Sequence, residues 1–280
     1  MDKEEKNLSI VATPIGNLLD ISQRAIETIK RADIVICENP KHSLKLLNNL
    51  GIKKKLVSLH DYNENIVIQK ISKELTTKNV VLISDAGSPL ISDPGFKLIN
   101  YCIKNNVKLT SIPGPTSIIP ALQLSGMPLH KFSFLGFFPK SKKLIHEFMS
   151  QIVDSEITTI FFVSSHKLII CLDHLEKNLI ERDISICKEL TKINEKIFRG
   201  NTQKIVKEIS KKKENLKGEF VFVIEGKKSK ASNKVNIKDY EKEIIKLLTK
   251  FSLTDVVEIV HKLTKLNKNI VYKWVLNLKK

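Results

Sequence analysis

The chain has 280 residues and a formal charge of +17, with 47 Lys and Arg against 30 Asp and Glu. No apolar stretch approaches the ~20 residues needed for a helix to span a bilayer, and the first residues, Met1 to Lys6, are charged, so a soluble protein is expected. Cys37, Cys102, Cys171 and Cys187 stand alone without a Cys-x-x-Cys pair, so neither a zinc knuckle nor a disulfide framework is expected.

The cysteines read as small buried hydrophobes in a reducing cytosol, and a cytoplasmic protein is expected. The basic excess favours a polyanionic partner, because each Lys or Arg that neutralises a phosphate releases a counterion. The alternative is a coding bias towards Lys, Ile and Asn, of which Asn48-Asn49 and Asn105-Asn106 are examples, that inflates basicity with no partner behind it.

Apolar runs of strand length occur at Leu8–Ala12, Ile34–Cys37, Leu56–Ser58, Val80–Ile83 and Val107–Ile112. Segments with helical spacing, such as Ile21–Lys30 and Ile66–Leu75, lie between them. This alternation predicts an α/β lobe with a mostly parallel sheet over residues 1–112. A second series, Phe132–Leu135, Ile157–Val163, Ile184–Leu190 and Phe220–Ile224, predicts a second lobe over residues 113–226 with a mixed sheet. Residues 227–236 are polar and without apolar periodicity, which reads as a linker. Residues 237–280 are expected to form a small helical appendage, with Ser252 and Thr254 offering N-cap oxygens to its middle helix.

Three strand ends carry Gly, Pro and small hydroxyl residues: Thr13-Pro14-Ile15-Gly16-Asn17, Ser84-Asp85-Ala86-Gly87 followed by Asp93-Pro94-Gly95, and Pro113-Gly114-Pro115-Thr116-Ser117. In open α/β sheets ligands bind outside the carboxyl ends of the strands. Asp93 and Thr116 are expected to cap helices, while Gly in the first two turns lets backbone approach a ligand closely. Neither Gly-x-Gly-x-x-Gly after the first strand nor Gly-x-x-x-x-Gly-Lys-Ser/Thr is present. NAD and ATP therefore lose ground to a ligand with adenosine and no phosphate.

The run Thr13-Pro14-Ile15-Gly16-Asn17-Leu18-x-Asp20-Ile21, the run Ser84 to Gly95 and Pro113-Gly114-Pro115 resemble the bacterial ribosomal RNA small-subunit methyltransferase I family. The resemblance continues through Phe134-Leu135-Gly136-Phe137-Phe138-Pro139, Ser165-His166-Lys167-Leu168, Glu189-Leu190-Thr191-Lys192 and Lys217-Gly218-Glu219, covering residues 8–226 in order. It implies the two-lobed tetrapyrrole-methylase fold, a homodimer, and methylation by S-adenosylmethionine of a cytidine ribose 2′-oxygen, position 1402 of 16S rRNA in the small ribosomal subunit. It further implies a cofactor cleft between the lobes lined by Asp85, Ala86, Gly87, Ile91, Thr116, Ser117 and Leu190, with Pro14, Gly16 and Asn17 at the rim nearest the reacting centre. Ile91 and Leu190 are suited to pack against adenine, and Ser117 and Asp85 to meet polar groups of the cofactor.

A sulfonium methyl is already activated, so neither a metal nor a covalent nucleophile is needed. The acceptor hydroxyl needs a base or a cation. Glu38, Lys41 and His42, directly after the second strand, are the catalytic candidates. The family usually carries Glu-Asp-Thr-Arg-His-Thr here, so Asn39, Pro40 and Lys41 are departures, and Lys for Arg removes a bidentate phosphate fork. Val163 is a second departure, where the family commonly has Glu, and Lys167 again replaces Arg. His60-Asp61-Tyr62-Asn63-Glu64 offers an imidazole and a carboxylate near the same rim, or a loop capped by Asn63.

Lys53-Lys54-Lys55 and Lys211-Lys212-Lys213 read as solvated faces, with RNA contact as the alternative. In the appendage Lys262, Lys265, Lys268 and Lys273 stand near Tyr272 and Trp274, a pattern that suits an RNA contact or, for the aromatics, a minimal helical core. Two other readings stay open: a ribosome-binding protein on the same fold that has lost catalysis, and a tetrapyrrole methylase acting on a small molecule.

Overall fold

The computed structural model describes residues 7–227, 240–264 and 266–278. The chain divides into two units, Met1–Lys227 and Lys228–Lys280. The expected linker at 227–236 lies, apart from Lys227, outside the described residues.

The first unit contains two five-stranded sheets. Strands β1 (Asn7–Val11), β2 (Ile34–Cys37), β3 (Lys55–Ser58), β4 (Val80–Ile83) and β5 (Lys108–Ile112) form a wholly parallel sheet in the order β3-β2-β4-β1-β5. Four helices connect them: α1 (Gln23–Arg31), α2 (Pro40–Asn49), α3 (Glu64–Thr77) and α4 (Phe96–Lys104). The runs Ile34-Val35-Ile36-Cys37 and Val80-Val81-Leu82-Ile83 are buried at every position. Alternate residues explain this, since successive side chains point to opposite faces of a strand. Ile34, Ile36, Val80 and Leu82 pack with Val67, Ile71 and Leu75 of α3 on one face. Val35, Cys37, Val81 and Ile83 pack with Ala25, Ile29 and Leu47 of α1 and α2 on the other.

Helix α5 (Ile118–Ser125) leads to the second sheet, built from β6 (Phe132–Phe137), β7 (Thr158–Ser164), β8 (Asp183–Lys188), β9 (Lys196–Asn201) and β10 (Glu219–Ile224). Its order is β6-β7-β10-β8-β9, with only β6 and β7 parallel. Helices α6 (Lys142–Asp154), α7 (Leu168–Asn178) and α8 (Thr202–Ser210) cover one face, where Phe161, Phe220 and Phe222 meet Phe148, Leu172 and Ile205. Ala121 and Leu122 of α5 cover the other face against Ile160, Val221 and Val223.

Two strand expectations change. β9 carries no strand signal, because Lys196-Ile197-Phe198-Arg199-Gly200-Asn201 is mostly polar; it is an edge strand with Phe198 buried on one face and Ile197 half-buried on the other. β8 stops at Lys188 rather than at Leu190, because Glu189 turns to φ 53° and leaves the extended region. All four cysteines are buried free thiols, as their isolation implied.

The second unit has helices α9 (Glu241–Leu248), α10 (Leu253–Thr264) and α11 (Lys268–Leu278) around Ile244, Val256, Val257, Val260, Val271 and Val275. Ser252 caps α10 by accepting from the Asp255 N–H at 3.2 Å. Trp274 packs on this core, whereas Tyr272 is exposed.

Phe222 is fully buried and stacks on Phe161 at 5.4 Å between ring centroids. Phe222→Ala is expected to lower unfolding free energy by about 3–5 kcal/mol in urea titration, from lost transfer energy and the cavity left behind.

Candidate active site

The three Gly- and Pro-rich turns meet because β1 lies between β4 and β5. Thr13 and Gly87 exchange two backbone hydrogen bonds, each N–H donating to the other's carbonyl at 2.9 Å. Fully buried Thr13 also donates its hydroxyl to the Ser84 carbonyl at 3.2 Å, and Ser84 donates its own to the Gly87 carbonyl at 3.0 Å. Gly87 sits at φ 84°, where a side chain is strained, and an added Cβ would lie 3.3 Å from Ile15. Ser88 ties the second turn to the third by donating to the Pro115 carbonyl at 3.3 Å.

These turns form one wall of a cavity of about 340 Å³ whose other wall is the second sheet. Of the residues singled out from the sequence, Asp85, Ala86, Gly87, Ile91, Thr116, Ser117 and Leu190 line it. The opposing wall carries Phe137, Phe162, Val163, Cys187, Glu219 and Val221. Ile91 and Leu190 are held by the same backbone device. Leu90 and Ser92 flank Ile91 at φ 74° and 70°, and Glu189 and Thr191 flank Leu190 at φ 53° and 65°. Non-glycine residues in this region cost of the order of 1–3 kcal/mol each and persist where surrounding structure over-determines them.

Pro14, Gly16, Asn17, Glu38, Lys41 and His42 are not among the cavity-lining residues. Gly16 and Asn17 instead abut the loop after β8: the Asn17 N–H donates to Thr191 Oγ1 at 3.2 Å, and an added Cβ on Gly16 would lie 2.8 Å from the same oxygen. Glu38, Lys41 and His42 are exposed at the β2–α2 junction. The departures Asn39 and Pro40 have a local explanation there. Asn39 Oδ1 caps α2 by accepting from the Lys41 and His42 N–H groups at 3.1 and 3.4 Å, and Pro40 occupies the first helical turn. The Asn39 N–H in turn donates to Asp85 Oδ1 at 3.2 Å, linking this junction to the cavity wall. Lys167 is a structural tie, its Nζ donating to the Phe138 carbonyl at 2.7 Å.

Asp93 corrects an expectation. It does not cap the following helix: α4 begins at Phe96 behind Gly95, and its Lys97 N–H donates to Glu64 Oε2 at 3.3 Å. The Asp93 carboxyl lines the cavity instead, and burial, reinforced by the negative charges of Glu38 and Asp85, pushes it up to about 7. Desolvation also raises Glu38, with Asp85 and Asp61 adding to the shift and His60 opposing it. Thr116 does accept from the Ile118 N–H, at 3.4 Å, at the start of α5. Asn63 stands at the start of α3, but its side chain bonds the His60 N–H and the Ser58 carbonyl rather than the helix. Among the described residues no group of His, Cys, Asp and Glu is arranged to hold a metal, and no helix is long and apolar enough to cross a membrane.

Residues 7–206 match the family model of the Tetrapyrrole (Corrin/Porphyrin) Methylases. The chain is 38% identical to the Ribosomal RNA small subunit methyltransferase I of Haemophilus influenzae, over 95% of both chains. It is 36% identical to the protein of that name from Buchnera aphidicola, over 98% of this chain and 94% of the relative. The chain belongs to the ribosomal RNA small subunit methyltransferase I family. Within the wider fold, the crystal structure of the methyltransferase CobJ superposes with a TM-score of 0.58 at 12% identity, over 79% of this chain and 95% of that one.

For a methyltransferase of this family, the sequence runs located the turn side of the cavity and left out most of the sheet side. Phe162, Cys187 and Val221 show only as inward members of strand alternation, which marks them as core. Asp93 carries the signature of a helix cap, and only the contact from Glu64 reveals that the cap comes from elsewhere.

A carboxyl whose folded pKa lies above its unfolded value favours folding at low pH, and that contribution is lost as pH rises through about 7. Asp93→Asn is therefore expected to raise the thermal midpoint relative to the native chain at pH 8, with the difference shrinking towards pH 4. Calorimetric scans across that range measure it.

Proposed function

We propose that this chain transfers a methyl group from S-adenosylmethionine to the ribose 2′-oxygen of a cytidine in the 16S rRNA of the small ribosomal subunit, acting in the cytoplasm as a homodimer. The observation that carries the reading is the inter-lobe cavity. Its volume suits an adenosine-sized ligand, it has apolar residues on both walls, and no phosphate-binding loop borders it. The relatives' names supply methyl transfer and small-subunit rRNA.

The residues present fit the cofactor. Ile91 and Leu190 offer apolar faces from opposite lobes for a purine, while Thr116 and Ser117 offer hydroxyls for its polar groups. Gly87, without a Cβ, keeps the Ala86–Gly87 backbone open to close approach. Asp85, held by the Asn39 N–H, is suited to ribose hydroxyls or an ammonium. When bound, S-adenosylmethionine supplies a methyl already activated by its sulfonium. The protein's own task is to align the acceptor, exclude water and take a proton.

Pro14, Gly16 and Asn17 form the rim across which the acceptor approaches. Glu38, whose carboxyl is raised above its ordinary value by desolvation and by Asp85, and which adjoins the Asn39 that bonds Asp85, serves as proton acceptor at that rim, with His42 on the same helix start. Lys41 meets the phosphate beside the target ribose. The intact cap made by Asn39 and Pro40 favours a working site over a ribosome-binding protein that has lost catalysis.

Incubation with undermethylated 30S subunits and tritiated S-adenosylmethionine is expected to label a single cytidine ribose. Absence of label from a chain that still binds the cofactor sinks the proposal. Asp85→Ala is expected to weaken cofactor binding by about tenfold or more in calorimetric titration, the loss of one charge-assisted hydrogen bond. Sedimentation equilibrium reads the dimer directly.

A further inference from the structure

The loop after β8 carries a cluster that the cofactor reading leaves unused. Lys192 Nζ lies 3.1 Å from Glu189 Oε1 and 2.7 Å from Glu219 Oε2, so one ammonium bridges two carboxylates on adjacent segments. Backbone bonds reinforce the bridge: the Glu189 N–H donates to the Glu219 carbonyl at 2.9 Å, and the Glu219 N–H donates to Glu189 Oε1 at 2.8 Å. Gly218, at φ 112°, leaves room for this, since a Cβ there would lie 2.8 Å from the Glu189 side chain. Beyond the bridge, the Thr191 N–H donates to Glu195 Oε2 at 2.6 Å, and Thr191 Oγ1 accepts from Asn17 of the first lobe.

Two consequences follow for the cavity. Glu189 and Thr191, both at positive φ, are the residues that aim Leu190 into it, and both are anchored within this cluster. The bond from Asn17 to Thr191 also joins the loop after β1 to the second lobe, with Gly16 seated directly against Lys192 and Thr191. Without the ammonium, Glu189 and Glu219 are like charges on neighbouring segments, and the left-handed turn that presents Leu190 loses its anchor.

We propose that Lys192 is a positioning residue for the methyl donor: by bridging Glu189 and Glu219 it holds Leu190 and the Asn17–Thr191 contact in the geometry that retains the donor between the lobes. This rests on the donor site proposed above. Lys192 touches no reacting atom and acts through its neighbours. Its loss therefore weakens donor binding and leaves the saturated rate largely intact, a separation that a purely structural defect does not produce.

The test is calorimetric titration of full-length native, Lys192→Met, Lys192→Arg and Thr191→Val chains with S-adenosylmethionine and S-adenosylhomocysteine, together with steady-state methylation of 30S subunits. Lys192→Met is expected to raise the donor Kd and KM by about tenfold while kcat changes by less than about threefold, and Lys192→Arg to recover most of that loss. Thr191→Val, which deletes only the acceptor for Asn17, is expected to raise Kd by about threefold and serves as the second variant should Lys192→Met fold poorly. Added salt is expected to narrow the difference in donor Kd between the native chain and Lys192→Met, because it screens both the partly exposed bridge and the Glu189–Glu219 repulsion left without it. Native-like Kd values in both Lys192→Met and Thr191→Val overturn the inference while leaving the function standing. A native chain that binds neither ligand overturns the function and this inference together.

Discussion

The reciprocal pair of hydrogen bonds between Thr13 and Gly87 is the constraint on which the rest of the site depends. Parallel strands do not join their own turns, since their hydrogen bonds end with the strands and each loop departs towards its helix. Here the loops after β1 and β4 make one more antiparallel bridge beyond the sheet, while the buried Thr13 hydroxyl donates to the Ser84 carbonyl and the Ser84 hydroxyl adds a second donor to the Gly87 carbonyl. Three loops that would otherwise fluctuate separately become one wall. Its rigidity is what allows non-glycine residues such as Leu90 and Ser92 to be held at positive φ nearby.

Across the cavity the second sheet contributes a wall of a different kind. It is mixed, and because β8 and β10 pair antiparallel the end of β8 lies beside the start of β10, so the segments Glu189–Glu195 and Lys217–Glu219 can cross-link through side chains. The turn wall is therefore organised mainly by main-chain bonds and the sheet wall partly by ions. The first of these is insensitive to salt, while the second is partly screened.

Much of the fold was legible because the first lobe follows simple rules: four-residue apolar runs buried on both faces, with helices of regular spacing between. The fold fails to be legible where a residue's task is set from a distance. Lys196–Asn201 looks polar because an edge strand needs few inward side chains. Asp93-Pro94-Gly95 has every local mark of a helix start, yet a carboxylate from α3 does the capping and frees Asp93 for the cavity. Asn39-Pro40, which as a string looked like an eroded site, is a well-formed helix cap whose N–H also holds Asp85. Turn residues announce themselves through Gly and Pro, whereas a strand residue facing a ligand has the same composition as one facing the core. The β2–α2 junction was least legible for the further reason that exposed charges such as Lys41 and His42 carry no packing signature.

The paired left-handed residues around Ile91 and Leu190 separate two properties that most binding-site side chains combine. Direction is dictated by the backbone on either side, and shape by the side chain alone. A change of residue at 91 or 190 thus alters the width of the slot without redirecting what fills it.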